Sequence, residues 1–445
     1  MSANTTLFAE RKISTMPPLP DYTLTERPSL ISGVPDYVVQ LTLPVIAYWV
    51  VSLFFHVLDE CDLFPQYRLH TPAEILKRNK VSRYEVVRDV VLQQIIQTVF
   101  GVGLAYFDPP EMIGREDYDV AVWASRLRTV QSYVPAVLQT LGIDSFQLAS
   151  NLNKSFPVAA SVVAGGIYDT TTFSVWELQA AKAIYWVLVP LVQFTVAVCI
   201  VDTWQYFLHR AMHMNKYLYT TFHIRHHRLY VPYAYGALYN HPVEGFMLDT
   251  LGTGLAYLLT GMTVQQGMWL FTCSTIKTVD DHCGYAFPWD PLQHITSNNA
   301  AYHDIHHQSW GIKTNFSQPF FIFWDRFLNT AWTGGDVSAR YERDRIAAQR
   351  KLDADASSSA ANITNAPATD VAHALEQAAA SRQQVLDDPK VDGKVVIQQE
   401  IEEERDAKAQ VAKRSTRRMT SGFDPKTISD RVSSSLHGRS AVLTV

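Results

Sequence analysis

Eleven of the chain's fifteen histidines fall between residues 209 and 307, and their spacing constrains the local structure closely. His209 and His213 form an HxxxH, His223, His226 and His227 an HxxHH, and His303, His306 and His307 a second HxxHH. A helix stacks positions i and i+4 on one face with i+3 beside them, so each motif reads as a helix presenting imidazoles on one side. Between the motifs lie His241 in Asn-His-Pro, His282 in Asp-Asp-His-Cys-Gly-Tyr, and His294. One zinc takes three or four protein ligands, so eight to ten imidazoles imply two metals. Imidazole suits iron, zinc, copper and nickel alike, and ligand type alone does not choose.

The surrounding sequence places these motifs at a membrane. Aromatic residues make up 12% and charged residues 18% of the chain, against roughly 25% charged in a soluble globular protein. The apolar and aromatic residues concentrate in 36–335, whereas 336–445 is polar and holds two aromatics, Tyr341 and Phe423. Val38–Leu58 matches the ~20 residues that cross a bilayer core and ends at Asp59, Glu60 and Asp62. Val86–Tyr106 is a weaker span, diluted by Arg88, Asp89, Gln93, Gln94 and Gln97, and reads as turning a polar face towards protein. Ala180–Ile200 is strongly apolar and runs into the HxxxH. Phe246–Val279 suits two short helices around a Thr260–Thr263 turn.

Lysine and arginine set the expected orientation. Arg68, Lys77, Arg78, Lys80 and Arg83 mark the first loop as cytosolic, and Arg210, Lys216, Arg225 and Arg228 put the histidine motifs on that same side. Residues 108–177 read as a lumenal or interfacial insertion. Two metals with open positions at a membrane face point to dioxygen activation by iron. The net charge of -5 gives no sign of a nucleic-acid partner. Four cysteines without a CxxC argue against a disulfide framework.

The expected fold is all-α: a multi-span membrane helical bundle, a histidine-rich helical cap on its cytosolic face, and a disordered C-terminal tail. Residues 1–35 form a polar N-terminal segment without a signal-peptide pattern, 36–179 the N-terminal spans and insertion, 180–335 the catalytic domain, and 336–445 the tail. That tail is too polar to offset its ordering entropy, although 398–413 could form a charged helix.

HxxxH, HxxHH and HxxHH after several spans resemble the fatty acid hydroxylase/sterol desaturase superfamily over about 180–332. The run Arg228-Leu-Tyr-Val-Pro-Tyr-Ala-Tyr-Gly-Ala-Leu-Tyr-Asn-His-Pro-Val-Glu-Gly is similar to fungal sphinganine C4-hydroxylases, as are Thr278-Val-Asp-Asp-His-Cys-Gly-Tyr, Asn298-Asn-Ala-Ala-Tyr-His-Asp-Ile-His-His and Gly311-Ile-Lys-Thr-Asn-Phe-Ser-Gln-Pro-Phe-Phe. The resemblance implies hydroxylation at C4 of sphinganine or dihydroceramide in the endoplasmic reticulum membrane. It implies two iron ions, dioxygen as co-substrate, and electrons from NAD(P)H through a separate cytochrome b5 and its reductase. Other sphingolipid biosynthetic membrane enzymes are candidate partners.

Carried over residue by residue, the implied ligands are His209, His213, His223, His226, His227, His303, His306 and His307, joined by His282 at an isolated ligand position. His241 is a ligand or a partner of one; His294 is tied to no neighbour by spacing. Related fatty-acid hydroxylases carry an HxxxH where this chain has His282 and Ala286, which leaves a tenth ligand open. Asp202, Asp281, Asp304 and Asn315 are candidates to orient metal-bound imidazoles, and Tyr230, Tyr233, Tyr235 and Tyr239 to shape a substrate entrance. Two other readings fit the histidines: a sterol C5-desaturase or C4-methyl sterol oxidase, and a histidine-rich metal transporter.

Overall fold

The computed structural model describes residues 16–166 and 172–364, with side chains to 357. The rest of the tail, including 398–413, lies outside the described residues. The described residues are mostly helical, and the one sheet among them pairs Thr25–Glu26 antiparallel with Met112–Ile113. These residues divide into two units, the first made of 16–36, 107–166, 172–196 and 260–266, the second of 37–106, 197–259 and 267–364.

Among the described residues, two helices are long and apolar enough to cross a membrane, α1 (Asp36–Glu60) and Val175–Met214, called α7 below. On α1, Ile46, Val50, Phe54 and Val57 are exposed at helical spacing, while Tyr48, Ser52 and Phe55 bury the opposite face. A continuous outward apolar stripe of this kind meets lipid or another protein. Both helices fit the expected spans. The expected second span is helical as α3 (Arg83–Ala105), but it falls short of the apolarity of the other two. Its polar residues turn inward: Asp89, Gln93 and Gln94 are buried, with Gln94 accepting from Trp49 Nε1 at 2.9 Å. Between α1 and α3 stands α2 (Pro72–Arg78), which Thr71 starts with a capping box to Glu74.

In the first unit, α4 (Glu116–Thr140), α5 (Ser145–Leu152) and α6 (Pro157–Val163) make up most of the insertion. Val120 and Ala124 of α4 pack on Ala181 of α7. Beside them Arg128 and Glu177, both almost fully buried, form a two-pronged ion pair at 2.5 and 3.1 Å.

The second unit holds every histidine motif. Its core joins Tyr48 and Phe55 of α1 and Val86 and Val90 of α3 to Leu229, Tyr239, Val279 and Tyr285. The buried edge of α7 runs Ala197, Val201, Gln205, His209, His213, an unbroken i+4 series that starts apolar and ends in imidazole. After it come α8 (216–227), α9 (242–260), α10 (Val264–Asp281) and α11 (Ala300–His307). Helices α9 and α10 turn back around 261–263 as the sequence suggests, with Gly261 in the left-handed region at φ 60°.

Part of the tail expected to be disordered is ordered. Ser338–Thr364 is a helix, α12, not disordered chain. Composition misled because α12 docks through polar contacts: Arg78 to Asp344 at 3.3 Å, Lys77 to Asp355 at 2.5 Å and the Tyr341 hydroxyl to Asp304 at 2.5 Å. These contacts need little apolar area.

Candidate metal centre

Nine buried histidines fall into two groups: His209, His213, His223, His227 and His306, and His226, His282, His303 and His307. Within each, one ring nitrogen per residue lies within 4.8 Å of all the others. The sequence places each HxxHH on one helical face, yet the structure splits both motifs between the groups. At 3.6 residues per turn, i+4 lies about 40° past i and i+3 about 60° before it. The outer pairs, His223 with His227 and His303 with His307, therefore serve one group each. The middle residues, His226 and His306, swing across to the other. The groups adjoin, with the His227 and His307 rings 5.1 Å apart.

Backbone partners decide which nitrogen faces inward. A carbonyl can only accept, so a ring nitrogen beside one carries the proton. His209 donates from Nδ1 to Phe316 O at 2.8 Å, His306 to Thr314 O at 2.7 Å and His307 to Leu229 O at 2.8 Å. His226 donates to Tyr239 O at 3.2 Å and His282 to Thr278 O at 2.8 Å. The Nε2 lone pairs of these five then point into the groups.

There they crowd. His209 and His223 Nε2 are 3.1 Å apart, His213 and His223 2.7 Å, His227 and His223 3.1 Å; His303 Nε2 is 3.1 Å from His282 and from His307. Lone pairs so placed repel unless a cation sits among them. Nitrogens bound at ~2.1 Å and right angles stand about 3.0 Å apart, which is the spacing found. His306 Nε2, buried with no partner, is a further donor in search of a cation. The donor set fits two metal ions held by five and four neutral imidazoles.

The imidazoles beyond α7 are held neutral, the form that binds metal. Burial first, with neighbouring histidines second, pushes His226 and His282 down to about 3. Burial alone does the same to His223. His227, His303, His306 and His307 also lie well below the usual range.

The carboxylate that touches the site is Glu244, which the sequence reading did not single out. Its Oε1 lies 2.5 Å from His223 Nδ1. Asp202 instead accepts from the Phe320 and Phe321 amides, and Asp281 is held by Lys277 and Asn298. Asp304 binds His70 at 2.9 Å, and Asn315 bonds Tyr302 O. These four brace the segments that carry ligands and their acceptors. Gly311 fits the same purpose, since a Cβ there would sit 1.9 Å from Ile305 O.

His241 joins neither group. It caps α9, its Nδ1 accepting from the Val243 amide at 3.2 Å. His294 is exposed and bonds Pro288 O at 3.0 Å. Tyr233, Tyr235 and Tyr239 pack in the core instead of at an entrance. A cavity borders both groups through His223, His226, His282 and His303, and its wall continues through Gln205, Asn240, Glu244 and Asp249.

The fatty acid hydroxylase family model matches residues 194–330, the segment that carries all nine histidines. The sphingolipid C4-hydroxylase SUR2 of Saccharomyces cerevisiae is 44% identical over 324 residues, 73% of this chain and 80% of that protein. The chain belongs to the fatty acid hydroxylase family. Within it, this family member is also 45% identical over 295 residues to the sphingolipid C4-hydroxylase of Schizosaccharomyces pombe, covering 66% of the chain and 87% of the relative. It is 39% identical over 287 residues to sphinganine C4-monooxygenase 2 of Arabidopsis thaliana, covering 64% and 85%. No solved structure matches it.

Proposed function

We propose that this family member is a membrane monooxygenase that hydroxylates C4 of a sphingoid base in sphingolipid biosynthesis. The observation that carries the reading is the pair of histidine groups bordering one cavity, in a chain 44% identical to a fungal C4-hydroxylase. The nine imidazoles are assigned as ligands to two iron ions, and His241 is left outside the set. Iron, when bound there, supplies the redox chemistry that inserts one atom of dioxygen into an unactivated C–H bond. The balance needs two electrons and two protons, and the second oxygen leaves as water. NAD(P)H, acting through a separate cytochrome b5 and its reductase, is the proposed electron source.

The chain's own residues hold and aim. Carbonyls of Phe316, Thr314, Leu229, Tyr239 and Thr278 fix five rings, and Glu244 fixes His223. Rings so locked need no reorganisation when metal or substrate arrives. Burial of all nine excludes bulk water from the reacting carbon. We place the protein as a multi-span protein of the endoplasmic reticulum membrane, with the site facing the cytosol, on the lysine and arginine pattern of its loops.

The test is expression in yeast lacking its own C4-hydroxylase, with long-chain bases read by mass spectrometry. Restored C4-hydroxylated base, abolished by His226→Ala, is the expected result. Unchanged sphinganine, with sterol precursors consumed instead, would overturn the reading.

A further inference from the structure

The cavity beside the histidine groups carries a carboxylate that the metal centre does not use. Of the acids in its wall, Asp281 is paired with Lys277 and Asn298, and Glu244 spends Oε1 on His223. Asp249 Oδ2 and Glu244 Oε2 are buried with no hydrogen-bond partner. Asp249 stands in a π turn, Phe246–Leu251, inside the apolar α9. Such turns recur at functional sites. An unpaired acid at the level of a membrane hairpin is costly, and its persistence calls for a ligand.

The chemistry of the reaction says which ligand. In a long-chain base the C2 amine stands two carbon–carbon bonds from C4, so its nitrogen lies within about 4 Å of the reacting carbon at ordinary bond lengths. The amine must therefore enter the cavity that the metals border. We propose that Asp249, helped by the free oxygen of Glu244, binds the ammonium group of a free long-chain base and so sets a preference for that base over its N-acylated form. This rests on the C4-hydroxylase reading. An amide would bring no positive charge to the pair and would leave a buried carboxylate uncompensated.

The full-length protein in lipid nanodiscs allows the test. Octadecylamine and octadecanol serve as unreactive probes, bound in competition with sphinganine. Wild type is expected to favour the amine, and Asp249→Asn to weaken amine binding about tenfold or more, the cost of losing one charge-assisted contact. Octadecanol binding and iron content should hold. The ratio of free-base to N-acyl turnover should fall by a similar factor, and Asp249→Glu should recover part of it. Equal binding of amine and alcohol by wild type would overturn the proposal. So would loss of iron in Asp249→Asn with both substrates falling together, which would make Asp249 a charge balance for the metals. If wild type hydroxylates neither lipid at C4, the parent reading fails, and the amine–alcohol comparison still decides whether Asp249 binds an ammonium.

Discussion

His223 and Glu244 meet at 2.5 Å, Nδ1 to Oε1, with both side chains 1% exposed. They lie on separate helices, α8 and α9, joined by the loop that also supplies Leu229 O and Tyr239 O to two other ligands. Such a carboxylate fixes the ring and raises its donor strength, and removing one typically costs about 10–100-fold in metal affinity or activity. Glu244→Ala is expected to lower iron per chain and C4 hydroxylation by that order, with Glu244→Gln milder because it still accepts from Nδ1–H. Metal analysis beside product formation checks both. A variant that kept full iron and full activity would remove Glu244 from the site.

The buried His70 cluster makes stability depend on pH. Burial alone would lower the His70 imidazole, but Asp304 and Glu74 outweigh it and hold it up at about 9. Glu74 is itself pushed to about 2, against the effect of burial, first by His70, then by the Thr71 amide and last by Arg78. A raised histidine contributes its full stabilisation below its unfolded value of about 6.5 and loses it as pH climbs through about 9. Thermal stability in detergent should therefore fall between those limits, by an amount on the order of 3 kcal/mol. His70→Gln should start lower and lose that slope. A wild-type melting temperature flat over this range would contradict the assignment.

In the first unit, Arg128 and Glu177 bury their charges together, with relative exposures of 2% and 3%. Removing one partner of a buried pair leaves a charge without compensation and costs about 3–5 kcal/mol. Arg128→Met is expected to show that loss in thermal denaturation. Arg128→Met with Glu177→Leu should regain much of it, since a well-packed apolar pair replaces the ions. Additive losses in the double variant would refute the coupling.

Legibility in the sequence follows the range of the interaction. Eight of the nine grouped histidines were readable because i, i+3 and i+4 spacing is local, whereas His282 stood out only through the family resemblance; α7 was readable because apolar length is local too. That each HxxHH divides between two groups also follows from helix geometry, once helices are present on both sides. Glu244 was not legible: it reaches His223 across 21 positions and an irregular loop, and no periodicity dictates that path. Asp249 was hidden for the opposite reason, as one acid in an apolar run. Helix α12 was misjudged because apolar content measures core burial, and α12 is held by Tyr341, Asp344 and Asp355 instead.

His241 and His282 separate ligand from cap. His282 Nε2 lies 3.1 Å from His303 Nε2, and its ring is locked by Thr278 O. His241 is half-buried and spends Nδ1 on the Val243 amide. His282→Ala should therefore empty the four-histidine group, halving iron per chain and abolishing product. His241→Ala should keep both irons and lose only a helix cap, about 1 kcal/mol, which His241→Asn should restore because asparagine caps equally well. Iron per chain and melting temperature, measured together on the three variants, give the answer. Iron lost from His241→Ala and from His241→Asn alike would make His241 the tenth ligand, at the position where Ala286 breaks the related pattern.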